Sequence, residues 1–77
     1  MKAYRREHLA TFQRSIVTRV GISIGDLNGT RFVDLRHEFT KDGESWWPTT
    51  KGVTLRAVDL DDAIAALQQA KLELGAG

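Results

Sequence analysis

Cysteine is absent from the 77 residues of this chain. Disulfide bonds and thiolate zinc sites are therefore excluded, although the absence does not identify a cellular compartment. The two histidines, His8 and His37, are far apart and have no cluster of potential ligands beside them. Because protein metal sites draw on such clusters, we expect no metal and no other cofactor.

Long apolar runs are also lacking. No stretch approaches the roughly 18 apolar residues that cross a bilayer. The N-terminal segment is basic and has no apolar centre of the kind found in signal peptides. We therefore expect a soluble intracellular protein without membrane contact.

The motifs of common enzymes are missing from the sequence as well. It contains no glycine-rich phosphate loop, no HExxH and no nucleophile motif. A fold this small is not expected to enclose a deep pocket. We therefore expect a protein that is not an enzyme.

The length of the chain limits its stability. A chain of 77 residues forms one domain and buries only roughly 60 to 65% of the surface that its unfolded form exposes. Small domains with so thin a core need a disulfide, a metal or a partner chain. Because the first two are not expected, the sequence predicts a homodimer.

Charge is distributed unevenly along the chain, although the net charge is only +1. Residues 1–56 hold ten Lys and Arg against six Asp and Glu, whereas residues 57–77 hold one Lys against four acids. The first part is therefore +4 and the second −3. This asymmetry indicates two surfaces with different roles, but by itself it identifies neither partner.

Turn signals and a period-2 alternation of apolar residues divide most of the chain into strands. Asn28-Gly29 suits the positive φ angles of a tight hairpin turn, and Lys41-Asp42-Gly43 marks another turn. The alternation breaks near residues 15–17, where we expect a bulge or bend. The predicted strands cover residues 11–24, 30–39, 44–47 and 53–57.

Two further assignments follow from local composition. Pro48 cannot donate to a strand ladder, so it is expected to end the third strand. Residues 1–10 are basic and are interpreted as a flexible arm of a single domain that spans residues 1–77.

The last part of the sequence predicts a helix. Asp59 is a suitable N-cap residue and Gly75 a suitable C-terminal stop. Helical spacing is shared by Leu60, Ile64, Leu67, Lys71 and Leu74. The predicted class is therefore α+β, a curved four-stranded antiparallel sheet followed by one C-terminal helix. One helix covers at most one face of the sheet, which leaves an open face that carries Arg19 and Arg36.

The segment from Ile22 to Leu55 resembles a known family, the transcriptional coactivator domain called positive cofactor four and its bacterial and phage relatives. The family pattern is a glycine turn, then V-D-[IL]-R and an aromatic residue, then a D-x-x-G-type turn, and then K-G-[IV]-x-L before a helix. The matching residues are Gly29, Val33-Asp34-Leu35-Arg36, Phe39, Asp42-Gly43 and Lys51-Gly52-Val53-Thr54-Leu55.

The resemblance implies a homodimer of β-β-β-β-α subunits that binds single-stranded DNA with little sequence preference. It further implies a role in transcription regulation or DNA maintenance, with the transcription machinery as a potential partner. The expected location is the cytoplasm of a bacterial or phage-infected cell, associated with the nucleoid, or the nucleus if the source is eukaryotic.

The family's binding residues carry over only in part. Arg36 and Lys51 match basic positions that contact the nucleic-acid backbone, and Phe39 matches a stacking position that is tryptophan in the best-known member. Three positions depart from that member. Leu27 stands where it has a second stacking aromatic, and Asn28 and Thr30 stand where it has lysines in the turn.

Aromatic side chains are the second requirement for binding single strands, since each stacked base contributes roughly 1–3 kcal/mol. Trp46 and Trp47 are adjacent, so in a strand they point to opposite faces. We hypothesise that one of them replaces the stacking residue lost at Leu27. The alternative is that both pack in a core or dimer interface.

Each basic candidate also has an ordinary interpretation. Arg36 could pair with Asp34 or Glu38, and Lys51 could be a solvated lysine. Strict alternation also places Arg36 and Phe39 on opposite faces, unless a twist or bulge brings them together. The predicted nucleic-acid-binding residues are Arg14, Arg19, Arg36, Phe39, Trp46, Trp47 and Lys51.

Two other functions remain open at this point. A dimeric protein-interaction module would use the tryptophans and the acidic helix to bind another protein. RNA could replace DNA as the ligand, because stacking and backbone contacts serve both.

Overall fold

The computed structural model describes residues 4–75, and for Tyr4 and Arg5 it describes the backbone only. Four strands are followed by a short 3-10 turn at Ala57–Asp59 and one helix, α1, at Leu60–Glu73. The strands are β1 Tyr4–Gln13, β2 Thr18–Leu27, β3 Thr30–Thr40 and β4 Trp46–Leu55. They form one antiparallel sheet in the order β1-β2-β3-β4. The predicted α+β class with the element order β-β-β-β-α is confirmed.

The number of strands was predicted correctly, but three of the four predicted strands, 11–24, 44–47 and 53–57, were wrong in their limits. The predicted strand 11–24 is interrupted by a turn at residues 14–17, which separates β1 from β2. In this turn Ser15 Oγ accepts hydrogen bonds from the backbone N–H groups of Val17 (3.2 Å) and Thr18 (3.1 Å). The break in alternation near residues 15–17 therefore marks a hairpin turn, since a serine that caps two backbone donors reverses the chain.

The N-terminal arm is the second correction. Residues 4–10, interpreted from composition as flexible, belong to β1 and pair with β2 from Tyr4↔Leu27 to His8↔Ser23 and onward. Residues 1–3 lie outside the described part of the chain. Charged residues hid this strand, because charge is common on an edge strand and does not prevent pairing.

The proline does not end a strand. Pro48 lies inside β4, opposite Glu38 of β3. Strand β4 is an edge of the sheet, and an edge strand tolerates a residue without a backbone donor. The predicted segments 44–47 and 53–57 are therefore largely the two ends of one strand.

The predicted turns are present. Asn28 and Gly29 connect β2 to β3 with φ angles of 55° and 87°, and the Gly29 N–H donates to Asp26 Oδ1 at 2.9 Å. In the β3–β4 turn, Asp42 Oδ1 accepts from the N–H groups of Glu44 and Ser45, each at 2.8 Å. The hydrogen bond from Ser45, and after it the one from Glu44, lowers the pKa of the Asp42 carboxyl.

The helix has the predicted ends. Asp59 stands at the N-cap, where its carboxylate binds the backbone N–H (2.9 Å) and guanidinium of Arg56 and not the helix N–H groups. Gly75 follows the helix with φ 70°, and its N–H donates to Leu72 O at 3.1 Å. No residue of α1 is buried, and Ile64 and Leu67 remain 52% and 67% exposed.

Register places opposite chemistry on the two faces of the sheet. The apolar face carries rows that meet across strands, such as Ile22 opposite Leu35 and Leu35 opposite Val53. The polar face carries charged and small side chains, namely Arg19, Gly21, Ser23, Asp34, Arg36 and Glu38. Among the described residues no apolar side chain is buried, whereas Ser23, Asp34, Glu38 and Thr40 are. The single chain therefore covers its polar face better than its apolar face.

Candidate nucleic-acid interface

The centre of the polar face is Glu38, whose side chain is only 3% exposed. Arg19 Nε donates to its Oε1 at 2.7 Å, and Arg6 Nη2 and His8 Nε2 lie 3.4 and 2.9 Å from its Oε2. Burial alone would raise the pKa of the Glu38 carboxyl, but the hydrogen bonds and charges of His8 and Arg19 outweigh burial and lower it. Glu38 is therefore an ionised carboxylate that holds basic side chains from β1 and β2.

Asp34 forms the second ion-pair centre of this face. Arg36 donates to both of its oxygens, from Nη2 at 2.5 Å and from Nε at 3.3 Å, and Arg6 Nη2 lies 3.4 Å from Oδ2. Arg36 Nη1 also donates to the carbonyl oxygens of Thr49 and Thr50 in β4, at 3.5 and 3.3 Å. The pairing of Arg36 with Asp34, which the sequence left open, is present in the structure.

Glycines make room for these ion pairs. A Cβ atom at Gly21 would lie 2.9 Å from Glu38 Oε2, and one at Gly52 would lie 2.9 Å from Arg36 Cζ and 2.3 Å from the Leu35 carbonyl oxygen. The glycine at position 21 therefore accommodates a carboxylate. Gly52, in the K-G-V-T-L motif, lets the Arg36 side chain lie across β4.

The two tryptophans lie on opposite faces, as their adjacency predicted. Trp46 is half-buried on the polar face, and Arg19 Cζ lies 4.3 Å from its ring centroid. This is the geometry of a cation–π contact. Trp47 pairs with Phe39 on the apolar face and is 54% exposed.

Arg36 and Phe39 do not meet on one face. Strand β3 keeps an unbroken register with β2, with Arg36 opposite Gly21 and Phe39 opposite Thr18. A bulge does exist, but it lies in β4, which gains two residues between its pairings with Arg36 and Glu38. It therefore changes the path of β4 without turning Phe39 toward Arg36.

The other two predicted basic residues lie at the ends and edge of the sheet. Arg14 is exposed in the β1–β2 turn, and Lys51 is exposed in the bulged part of β4. The Lys51 backbone N–H donates to Thr49 Oγ1 at 3.1 Å. Of the seven predicted site residues, the polar face thus brings together Arg19, Arg36 and Trp46.

Sequence reasoning missed Arg6, His8 and the central role of Glu38. The signal for Glu38 was present, because Asp34, Arg36 and Glu38 alternate on one side of β3. The signal for Arg6 and His8 was hidden once residues 1–10 were treated as an arm. Three arginines and two carboxylates leave this cluster at +1 when His8 is neutral, so the face is mildly positive.

Other kinds of site find little support in the described residues. Residues 4–75 contain no group of three or more His, Asp and Glu side chains that could hold a metal ion. Within the same range no helix is long and apolar enough to cross a membrane.

The fold is that of a solved bacterial protein. Two crystal forms, orthorhombic and tetragonal, of a PC4 homologue from Burkholderia pseudomallei K96243 each superpose with a TM-score of 0.79. Identity is 29% over 84% of this chain and 88% of the homologue in one form, and 28% over 87% and 98% in the other. This chain is a PC4-like protein. PC4 abbreviates positive cofactor four, the family that the V-D-L-R and K-G-V-T-L motifs predicted.

The PC4-like fold supports nucleic-acid binding as the general class of this protein. No family model matches the chain, and no curated protein matches it. The likeness to PC4 therefore comes from the structure together with the sequence motifs.

Proposed function

We propose that this PC4-like chain is a homodimer that binds single-stranded DNA with low sequence specificity on the polar face of its sheet. The observation that carries the proposal is the Arg19–Trp46 stack beside the arginines of that face. Cations that track phosphates and an aromatic surface that accepts bases are the two parts of a single-strand site.

The arrangement favours binding without sequence readout. Arginine side chains reach phosphate oxygens on every nucleotide, and a stacking surface accepts any base. Arg14 in the β1–β2 turn and Lys51 in β4 would extend the phosphate contacts at the margins of the sheet. A single-stranded nucleic acid that also stacks on Phe39 and Trp47 has to pass around the edge of the sheet, because both side chains lie on the apolar face.

A second copy of the chain is the proposed cover for the apolar face and the helix. Leaving many large apolar side chains in water is unfavourable at roughly 25 cal/mol per Å² of apolar surface. The exposed residues include Trp47 and Val53 on the sheet and Ile64 and Leu67 on the helix. No other described part of the chain covers these apolar surfaces. We therefore assign them to the dimer interface.

The biological role follows only from the family. We propose a role in transcription or genome maintenance, in the compartment that contains the DNA. Partners in the transcription machinery belong to the same proposal.

The exposed apolar residues also favour a second candidate function, a dimeric module that binds another protein through Trp47 and the helix. Its contacts would be apolar and nearly insensitive to salt, whereas phosphate contacts weaken as salt rises. RNA remains an alternative ligand on the same face.

Fluorescence anisotropy of a labelled single-stranded oligonucleotide tests the proposal. We expect saturable binding that unlabelled single strands of unrelated sequence compete away and that duplex DNA competes away poorly. Equal competition by duplex would contradict single-strand selectivity, and no binding at low salt would favour the protein-interaction module. An RNA competitor of the same sequence separates the two nucleic acids.

A further inference from the structure

The donors that a phosphate would need on the polar face already have an anionic partner. Arg19 Nε donates to Glu38 at 2.7 Å, and His8 and Arg6 contact the other oxygen of the same carboxylate. Charged N–H groups of this kind are those that bind phosphate oxygens in nucleic-acid complexes. A bound phosphate and the Glu38 carboxylate therefore compete for the same side chains.

Glu38 cannot easily leave its position. Its side chain is 3% exposed and lies against the backbone of β2 at Gly21, where a Cβ atom would already be too close. A surface glutamate could swing into solvent when a phosphate arrives, but a carboxylate packed beneath Arg6, His8 and Arg19 cannot. Its negative charge is thus a fixed part of the polar face.

Arg6 differs from the other two arginines of the face. Its contacts to Asp34 and Glu38 are long, 3.4 Å each, and its buried Nε has no hydrogen-bond partner among the described residues. Arg36, in contrast, is held by both oxygens of Asp34. Neutralising Glu38 would therefore release Arg19 and Arg6 first, while Arg36 would stay in place.

From this geometry we infer that Glu38 is an internal competitor of the phosphate backbone, a positioning residue that keeps the affinity of the polar face for single-stranded nucleic acid low. The inference rests on the proposed function, because it concerns the strength of that binding. It assigns to one acid a role opposite to that of the basic residues around it.

The variant Glu38→Gln tests the inference because glutamine keeps the shape of the side chain and one acceptor oxygen and removes the charge. A unit charge a few ångströms from the bound phosphates affects binding by about tenfold at an effective dielectric constant close to that of water. We expect about tenfold tighter binding of a labelled mixed-sequence oligonucleotide. The plot of log affinity against log salt should also steepen by about 0.7, the value for one more neutralised phosphate on a single strand.

Glu73→Gln is the matched control, because Glu73 is exposed at the end of α1 and its loss changes the net charge equally. A general charge effect would act on both variants alike. A residue with only a structural role would lower the melting temperature of Glu38→Gln and leave its salt slope unchanged. If Glu38→Gln does not fold, Asp34→Asn carries the same test through Arg6 and Arg36.

The outcomes separate this inference from the proposed function. Tighter binding by Glu38→Gln than by wild type and Glu73→Gln supports the inference. If wild type binds and Glu38→Gln binds no more tightly, the inference is overturned and the proposed function is left intact. Binding by Glu38→Gln alone supports the inference and overturns the proposed function of the wild-type chain, and binding by neither overturns both.

Discussion

At the scale of residues, two buried carboxylates organise the polar face. Asp34 and Glu38 are each 3% exposed in their side chains and are surrounded by arginines from β1, β2 and β3. The alternation of residues in β3 predicted that both carboxylates lie on one face of the strand. It did not predict that they are buried. Burial depends on Arg6 of β1 and on Gly21 of β2, which reach these carboxylates only through the pairing of residues far apart in sequence.

Stability should depend on the charge of Glu38. The folded state lowers the pKa of this carboxyl below its ordinary value of 4.5, so its ionised form stabilises the fold above about pH 4.5. That contribution is lost as the pH falls through the lowered pKa. We expect Glu38→Gln to unfold at lower denaturant concentration than wild type at pH 7, with a difference that shrinks below pH 4.5.

Urea unfolding of both proteins at several pH values measures this difference. Other acids such as Asp42 and Asp59 titrate in both proteins, and their effects cancel in the comparison. A stability difference that stays constant down to pH 3 would contradict the assigned ionisation of Glu38.

The two tryptophans should differ in their effect on binding. Trp46 supports Arg19 on the polar face, and stacking of one base contributes roughly 1–3 kcal/mol, so Trp46→Ala should weaken single-strand binding by about fivefold or more. Trp47→Ala, on the apolar face, is the matched control and should change binding less. Anisotropy titrations of variants with native-like circular dichroism measure both, and no loss for Trp46→Ala would contradict the stacking site.

At the scale of elements, the β2–β3 and β3–β4 turns and the helix ends were predictable, whereas the β1–β2 turn and the strand limits were not. Asn28-Gly29 and Gly75 are local signals, because a positive φ angle is a property of the residue itself. The β1–β2 turn lacks such a signal, because Arg14, Ser15, Ile16 and Val17 include no glycine or proline. The reversal there uses the Ser15 hydroxyl, which an alternating pattern does not reveal.

The bulged strand β4 gives a prediction at this scale. Alanine at Gly52 would bring a methyl group against the Leu35 carbonyl oxygen and the Arg36 guanidinium. We expect Gly52→Ala to lower the free energy of unfolding by about 1–3 kcal/mol, as in other overpacked sites. Thr50→Ala, at an exposed position in the same strand, should change it by less than about 0.5 kcal/mol.

Urea denaturation of the two β4 variants makes the comparison. Equal stability of Gly52→Ala and Thr50→Ala would show that β4 can move away from Arg36. The role assigned to this glycine of the K-G-V-T-L motif would then be wrong.

At the scale of the whole molecule, the chain alone leaves its apolar surface uncovered. No described apolar side chain is buried, and the sheet and helix both expose large apolar residues. The short length predicted a partner chain, and we propose that it covers the helix stripe at Ile64 and Leu67. Sequence could not show that the sheet would leave the helix uncovered, since that depends on the path of the chain after Leu55.

Oligomeric state should follow the helix stripe. We expect wild type to have about twice the mass of the 8.6 kDa chain in sedimentation equilibrium. Leu67→Asp should shift this mass toward the monomer, because a charge would enter an apolar interface. Gln68→Asp adds the same charge at the neighbouring exposed position and should remain dimeric. A monomeric wild type would contradict the proposal that a second copy covers the apolar surface.

The salt dependence of single-stranded DNA binding tests the central claim most directly. The same oligonucleotide is titrated by anisotropy at several salt concentrations from about 50 to 200 mM, the range over which phosphate contacts weaken strongly. If the polar face binds phosphates, log affinity falls linearly with log salt, with a slope of about −0.7 for each neutralised phosphate. Absence of binding at the lowest salt, or binding whose affinity does not change with salt, would contradict it.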